Sequence, residues 1–360
     1  MNAPVRILLA DNLMIRRYGN LRMGPGRKLA CGAVRNNWRI CEFSDRDMAR
    51  LLAPLGIRAW GGRIANRKLV LCAKNFRPDI LLLGHCDYIQ NWALEKIRRI
   101  LPDIRIGHFN VDPLWQDSTR RQMADRRESC DALFATTAGV GNLKQWCTGR
   151  NRVAYMPNPS DPSMENFDNG NKFGFARDLF FAGNPRLGDP RWELLSQVLP
   201  KLNGVVRYEI FGPGRNAPLI GKVAARGSLK KQIWGAAYEQ VLATSKMSLN
   251  LNRREGDKWY SSDRIAHLMG CGILAFQSSR NQMLSFFTDE ETVWFDDAAD
   301  LAEKILAMQS DDAARSRIAS AGRAKYHRLF NGARVLKYMV ETLLDMPYSE
   351  NYEWAGETYH

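Results

Sequence analysis

The chain of 360 residues has no Cys-x-x-Cys pair, no zinc-like histidine spacing and no apolar run approaching the ~20 residues that cross a bilayer. Each lack closes a class of protein. Seven cysteines, at 31, 41, 72, 86, 130, 147 and 271, are scattered and odd in number. They read as small apolar side chains in a reducing compartment, neither a disulfide frame nor a metal site. Five dispersed histidines add no ligand cluster, so the expected chemistry is metal-independent, with no tightly bound cofactor. The opening Met1-Asn-Ala-Pro-Val-Arg6 runs straight into Ile7-Leu-Leu-Ala10 without a long apolar core. No signal peptide is expected, and the expected location is the cytoplasm. There is no Walker loop, no dinucleotide glycine fingerprint and no visible internal repeat.

What is present is charge, and it is uneven. Lys and Arg number 52 against 38 Asp and Glu, a net +14. Residues 1–150 carry 26 basic and 13 acidic side chains, a net +13; the remainder carries 26 and 25, a net +1. One basic lobe facing an anionic partner fits this split better than a nucleic-acid coat, and no nucleic-acid motif is present. Hydrophobic residues at 45% and charged residues at 25% provide for large cores.

The apolar pattern alternates between short strands and helices. Strands are expected at 5–10, 39–43, 80–84, 104–109, 130–136 and 152–156, with helices at 25–37, 47–55 and 93–101. Pro157-Asn-Pro-Ser-Asp-Pro162 interrupts the alternation. It resumes with strands at 178–182, 206–211, 247–251, 273–276 and 292–295. Helices are expected between and after them at 192–199, 230–244, 262–269, 298–308, 312–329 and 333–344. The expected class is α/β, with two doubly wound Rossmann-like domains at 1–165 and 172–332 facing a central cleft. A last helix and tail occupy 333–360.

Candidate chemistry sits at strand exits, where such sheets bind ligands. Asp11 to Gly26 is polar, glycine-rich and basic; Arg16, Arg17, Tyr18 and Gly19 form either an ordinary basic loop or an acceptor contact. In His108-Phe-Asn-Val-Asp112-Pro, Asp112 could take a proton or cap the next turn, and His108 could be a buried histidine or a base. Gly183 and Asn184 close one strand, and Gly212 and Gly214 another; the two turns together suit a nucleotide diphosphate. The densest polar stretch runs from Asn250 through Asn252, Arg253, Arg254 and Lys258 to Arg264. Ser262 or Asp263 could cap the helix that follows, which leaves Arg264 in its first turn against the helix dipole. A phosphate or carboxylate held by Arg264 would offset that cost of roughly 0.3–1 kcal/mol. Glu291 either accepts sugar hydroxyls or belongs to a solvated turn.

These stretches resemble the group 1 type glycosyltransferases of the GT-B architecture, and in particular the CgeB-like (spore-maturation-protein-like) ones. The resemblance rests on Leu179-Phe-Phe-Ala-Gly-Asn184, Tyr208-Glu-Ile-Phe-Gly212, Met247-Ser-Leu-Asn-Leu-Asn252, Ser262-Asp-Arg264, Gly270-Cys-Gly272 and Glu291-Thr-Val-Trp-Phe295. It covers about 175–345 and is weaker over 1–170, where Phe109-Asn-Val-Asp-Pro113 is similar to an aspartate-proline stretch of the group. The resemblance implies a nucleotide-sugar donor approached by Gly183 and Asn184, its phosphates beside Arg264, and its ribose or sugar held by Glu291. His267 stands where the group typically carries a glutamate. A terminal segment crossing back to the first domain is also implied, with Tyr348, Tyr352, Trp354 and Tyr359 suited to pack there.

The function expected from all this is sugar transfer to an envelope lipid, polysaccharide or other glycan, anionic or lipid-linked, either in the cytoplasm or peripherally on the inner membrane face. Asp112, or else Asp11, serves as base if the reaction inverts; if it retains, the donor phosphate takes the proton. The rival readings are a nucleotide-sugar epimerase or hydrolase on the same fold, and a non-catalytic nucleotide-sugar-binding protein.

Overall fold

The computed structural model describes residues 4–15, 23–53, 55, 57–183 and 188–360, with the backbone only at 58 and 59. Arg16, Arg17, Tyr18, Gly19 and Asn184 therefore lie outside the described residues. The chain divides into two units: 1–161 with 330–360, and 162–329.

Unit 1 alternates strands with helices, two helices lying between its second and third strands. Its elements are β1 (Arg6–Asp11), α1 (Pro25–Arg35), β2 (Arg39–Ser44), α2 (Asp45–Leu51), α3 (Arg58–Phe76), β3 (Ile80–Leu83), α4 (Asn91–Ile100), β4 (Arg105–Asn110), α5 (Asp117–Arg126), β5 (Ala132–Ala135), α6 (Val140–Leu143) and β6 (Arg152–Tyr155). The strands are parallel in the order β6-β5-β4-β3-β1-β2, with Ile7 opposite both Ile40 and Ile80. Helices cover both faces of such a sheet, so its strands are apolar on both sides; all four residues of β3 are fully buried.

Unit 2 contains β7 (Arg177–Ala182), α7 (Pro190–Leu202), β8 (Tyr208–Phe211), α8 (Ala217–Gly221), β9 (Leu229–Lys230), α9 (Ala236–Ala243), β10 (Ser245–Asn250), α10 (Arg264–Gly270), β11 (Leu274–Ser278), β12 (Val293–Phe295), α11 (Ala298–Ser310) and α12 (Asp312–Leu329). Its parallel sheet runs β12-β11-β10-β7-β8-β9. The core joins Leu179 and Phe181 of β7, Met247 and Leu249 of β10 and Phe276 of β11 to Trp192, Leu195 and Leu199 of α7. Trp192 meets Phe181 edge-on at 5.5 Å. A helix expected over 230–244 is instead a two-residue strand and then α9, because Gly235 at φ +57° turns the chain before the helix begins.

The last segment returns to unit 1 as α13 (Gly332–Leu343) and β13 (Thr358–Tyr359), which pairs antiparallel with β6. α13 crosses α1 so closely that a Cβ on Gly32 would lie 2.3 Å from the Gly332 carbonyl oxygen, so both positions need glycine. Tyr352 and Trp354 are buried against Tyr338, and the Arg334 guanidinium lies over both rings while pairing with Glu350 and Glu353. The division between units falls at 161 and 330, not at 165 and 333. Buried Asn169 explains the first shift: its amide donates to the Leu242 and Ser245 carbonyls at 2.7 and 2.8 Å, and Arg315 donates to its carbonyl at 2.7 Å. Residues expected in the linker are thereby part of unit 2.

Cys86, Cys130 and Cys271 are buried, and the other four cysteines are half-buried. Burial pushes the Cys130 thiol up to about 12, which keeps it protonated and inert.

Candidate functional site

Each sheet reverses its strand order at one place, between β1 and β3 in unit 1 and between β7 and β10 in unit 2. The carboxyl ends of the strands open a crevice there. In unit 2 the exits of β7 and β8 are glycine turns packed backbone to backbone. The Gly183 amide donates to the Phe211 carbonyl at 3.1 Å. Gly212, at φ +79°, has no room for a side chain, since a Cβ would meet the Gly183 oxygen at 2.3 Å. Gly214 begins a short 3₁₀ turn, Gly214–Asn216.

Three guanidinium groups gather beside these turns. Arg264 donates to the Leu251 carbonyl at 3.2 Å and lies 5.0 Å from the Phe181 ring centre. Arg191 lies 5.7 Å from the same ring centre and holds Asp189 through both Nε (2.9 Å) and Nη2 (2.5 Å). Arg253 Nε reaches Asp189 Oδ2 at 3.2 Å. Asp189 is buried, caps α7 by accepting from the Arg191 amide, and precedes Pro190 at the first helical position. Among the described residues no carboxylate pairs with Arg264. Two of these cations thus meet at Asp189, and the third, Arg264, lies beside them on the Phe181 ring at the switch point.

The electrostatics follow from burial. Desolvation, with help from neighbouring Arg191, lowers Arg264 to about 10, so it stays charged at neutral pH. For Asp189, burial alone would raise the pKa; hydrogen bonding and charge from Arg191, with charge from Arg253, outweigh it and hold the carboxyl below its ordinary value. Arg191 and Arg264 both occupy the first turn of a helix, where the macrodipole disfavours a cation. The same sequence signal, a cation just inside a helix start, marks Arg264 and Arg191 alike. Nothing local pointed to Asp189 as the shared partner.

The loop from β10 to α10 supplies further polar groups. Asn252 donates to the Tyr260 carbonyl at 3.0 Å, and Asn250 to Ser261 Oγ at 2.9 Å. The side-chain oxygens of Asn250, Asn252 and Ser262 are buried with no hydrogen-bond partner among the described residues. Ser262 and Asp263 provide no side-chain cap to α10. Asp263 is turned to His267 instead, with Oδ2 3.1 Å from Nε2. Glu165 lies 3.8 Å from the same nitrogen, and the Tyr238 hydroxyl 3.4 Å from Nδ1. His267 is therefore set between two carboxylates and a phenol. Arg254 is exposed and 3.9 Å from Asp257, and Lys258 lies over the Trp259 ring.

Glu291 is occupied locally. It accepts from the Thr288 amide and hydroxyl at 2.8 and 2.9 Å and pairs with Lys325 at 3.0 Å. Burial would raise its pKa, but these partners lower it. Its surroundings are those of a turn before β12.

In unit 1, Asp112 is exposed just past β4, and its carboxylate has no partner among the described residues. It caps no helix; its backbone amide donates to Asn110 Oδ1 at 2.8 Å. Asp11 is buried at the switch point and accepts from the Asn12 and His85 amides at 2.7 and 2.8 Å. Its other oxygen lies 2.0 Å from where a Gly26 Cβ would stand, against the first turn of α1. The anion at that helix start is the chain's own carboxylate. His108 is buried and bonded to the Leu83 carbonyl at 3.1 Å, and burial drives its pKa down to about 3. It is a neutral core histidine and no base. Among the described residues no group of three or more His, Cys, Asp or Glu side chains could hold a metal, and no helix is long and apolar enough to cross a membrane.

Two Rossmann-like sheets in one chain define the GT-B fold, and solved structures of that architecture superpose on most of this one. HepE of Anabaena, in complex with UDP and glucose, is 13% identical, with TM-score 0.59 over 95% of this chain and 100% of that one. Sucrose-phosphate synthase of Thermosynechococcus elongatus is 11% identical, with TM-score 0.61 over 94% and 98%. A TarM variant of S. aureus, in complex with fondaparinux, alpha-GlcNAc-glycerol and UDP, is 11% identical, with TM-score 0.53 over 78% and 59%. Residues 191–341 match the family described as "Glycosyl transferase-like". That span holds Arg191, Arg253 and Arg264. No curated protein gives a sequence match.

Proposed function

We propose that the protein is a glycosyltransferase that takes a sugar from a nucleotide-sugar donor bound in unit 2 and passes it to a glycan acceptor. The observation that carries this reading is Arg264, with no carboxylate paired to it among the described residues, beside Arg191 and Arg253, which meet at Asp189. Glycosyl transfer leaves growing negative charge on the departing nucleoside diphosphate, and fixed cations in a half-dry site stabilise it without metal. Gly183 and Gly212 let the diphosphate approach the backbone, while Asn250, Asn252 and Ser262 offer unfilled hydrogen-bonding capacity to the sugar or ribose. His267 takes the place of a glutamate and, between Asp263 and Glu165, orients the loop that carries Arg264. Asp112, exposed and unpaired among the described residues, is the base available to an acceptor hydroxyl if the reaction inverts.

UDP occupies the HepE and TarM complexes, which makes UDP-sugars the donors to try first. The basic first half of the sequence favours an acidic acceptor, including one carried on a membrane surface. The test is thermal stabilisation by UDP, GDP, ADP, CMP and TDP and their sugars, which grows with concentration when a ligand binds only the folded state. One nucleotide should stand out with the natural sequence and lose its effect with Arg264→Ala. Absence of any stabilisation, or an unchanged response in Arg264→Ala, removes the reading.

A further inference from the structure

A second place in the molecule is built to receive an anion. Between α3, the start of α4 and the loop after β3 lies a pocket of about 660 Å³, lined by Gly62, Arg63, Arg67, Tyr88, Trp92 and Lys96 with Asp87 and Gln90 at its rim. Arg63 and Arg67 are one helical turn apart on α3, and Lys96 approaches from α4. None of these three makes an ion pair or hydrogen bond with another described residue. The one lining carboxylate, Asp87, is already paired with Arg46 and accepts from Gln122 at 3.3 Å. The pocket therefore presents uncompensated positive charge beside two half-buried aromatic rings.

Its walls are held from beneath. Fully buried Asn66 donates to the Gly62 and Tyr88 carbonyls at 2.8 and 2.6 Å and accepts from the Gln90 amide at 2.8 Å. Gln90 in turn accepts from Trp92 Nε1 at 2.6 Å and so fixes the indole. Buried Asp45 accepts from the Tyr88 amide at 3.2 Å, and Arg126 donates to the Ile89 and Cys86 carbonyls. Gly62 gives the Tyr88 ring its seat, since a Cβ there would stand 3.3 Å from Cδ1. Three buried polar side chains thus make one loop rigid, while the cations above it are left unspent. Such preorganisation lowers the ordering cost of binding.

We infer that this pocket binds an acidic saccharide, with a sugar ring on Tyr88 and Trp92 and its carboxylate or phosphate on Arg63, Arg67 and Lys96. Aromatic faces suit the C–H faces of a sugar, and guanidiniums suit planar or tetrahedral oxyanions. A volume of this size admits one or two sugar units rather than an extended polymer track. Its use as an acceptor site rests on the transferase reading above; its binding chemistry does not.

The experiment is calorimetric titration of the full chain with tetragalacturonate, glucose 6-phosphate and neutral maltotetraose. At least one acidic probe should bind about tenfold or more tighter than maltotetraose. Arg63→Ala/Arg67→Ala should weaken it about tenfold, and Lys96→Ala severalfold. Arg39→Ala/Arg150→Ala removes equal charge elsewhere and should leave binding unchanged, and all variants should keep the nucleotide thermal shift. The inference is overturned if neither acidic probe binds, if acidic and neutral probes bind alike, or if both double variants lose binding equally. It is also overturned if Arg63 and Arg67 govern binding to phosphatidylglycerol vesicles but not to the saccharides, or if a dT oligonucleotide binds there more tightly than either. If no nucleotide binds while the acidic probe still depends on Arg63 and Arg67, the transferase reading fails and the pocket stands.

Discussion

The two sheets reverse their strand order at equivalent places, and the chain puts opposite charge at each. In unit 1 the switch point holds Asp11, buried and committed to the amides of Asn12 and His85. In unit 2 it holds Arg191 and Arg253 on Asp189, with Arg264 beside them on the Phe181 ring. Topology alone makes both crevices candidate ligand sites. Charge separates them: a phosphate beside Asp11 would meet a carboxylate in poor solvent, whereas beside Arg264 it meets a buried cation that no carboxylate among the described residues pairs with. A doubly wound sheet supplies a location, and a handful of side chains at strand exits decide what can occupy it.

The comparison can be broken most forcefully at Asp189. Asp189→Ala takes this carboxylate from buried Arg191 and half-buried Arg253, and should cost about 3–5 kcal/mol in chemical denaturation. Added UDP should recover more stability in this variant than in the natural sequence, because the diphosphate replaces the missing charge. Equal recovery would separate the cluster from nucleotide binding. Arg264→Ala should fold, yet lose about a hundredfold or more in kcat/KM for transfer from the best donor.

The same operation in unit 1 should have the opposite signature. Asp11→Ala strands two amides and should cost about 1–3 kcal/mol of stability. Its nucleotide titration should superimpose on that of the natural sequence. A large loss of nucleotide affinity there would erase the distinction between the switch points.

The smallest effect concerns pH. Burial raises Asp45, beneath the acidic-saccharide pocket, to about 7, partly offset by the Tyr88 and Arg46 amides. Because the folded state holds this proton more tightly than the unfolded one, the contribution to stability is full below about pH 4 and lost as pH rises toward 7. Asp45→Asn should therefore narrow the difference in unfolding free energy between pH 5 and pH 8, by no more than a few kcal/mol. His108 runs the other way. Its lowered pKa means stability present above about pH 6.5 and lost as pH falls toward 3. Melting curves from pH 4 to 8 on both His108→Gln and Asp45→Asn would show the two slopes separately.

Much of the alternation was legible. Short apolar runs such as Ile80–Leu83 and Leu274–Ser278 can be little else than buried parallel strands, and proline-rich 157–162 marks the change of unit within a few residues. The longest helix of unit 1, Arg58–Phe76, was not, because its arginines, glycines and alanines carry no clear apolar stripe. With it went Asn66 and the whole pocket it supports. At the switch point of unit 2, Arg264 and Arg253 were readable as cations near a strand exit. Arg191 and Asp189 were not, since they stand more than 60 residues away in sequence from the loop they complete.

Sequence by itself determined the α/β alternation, the uneven charge and the polar, glycine-marked strand exits, because periodicity, turns and ionisation are properties of neighbouring residues. Only the tertiary structure decided which charges are spent and which are left over. Asp11, Asp87 and Glu291 are consumed within the fold, while Arg264, Arg63 and Arg67 have no anionic partner among the described residues. That outcome depends on distances between remote elements and on the desolvation each group suffers there, which no local pattern encodes.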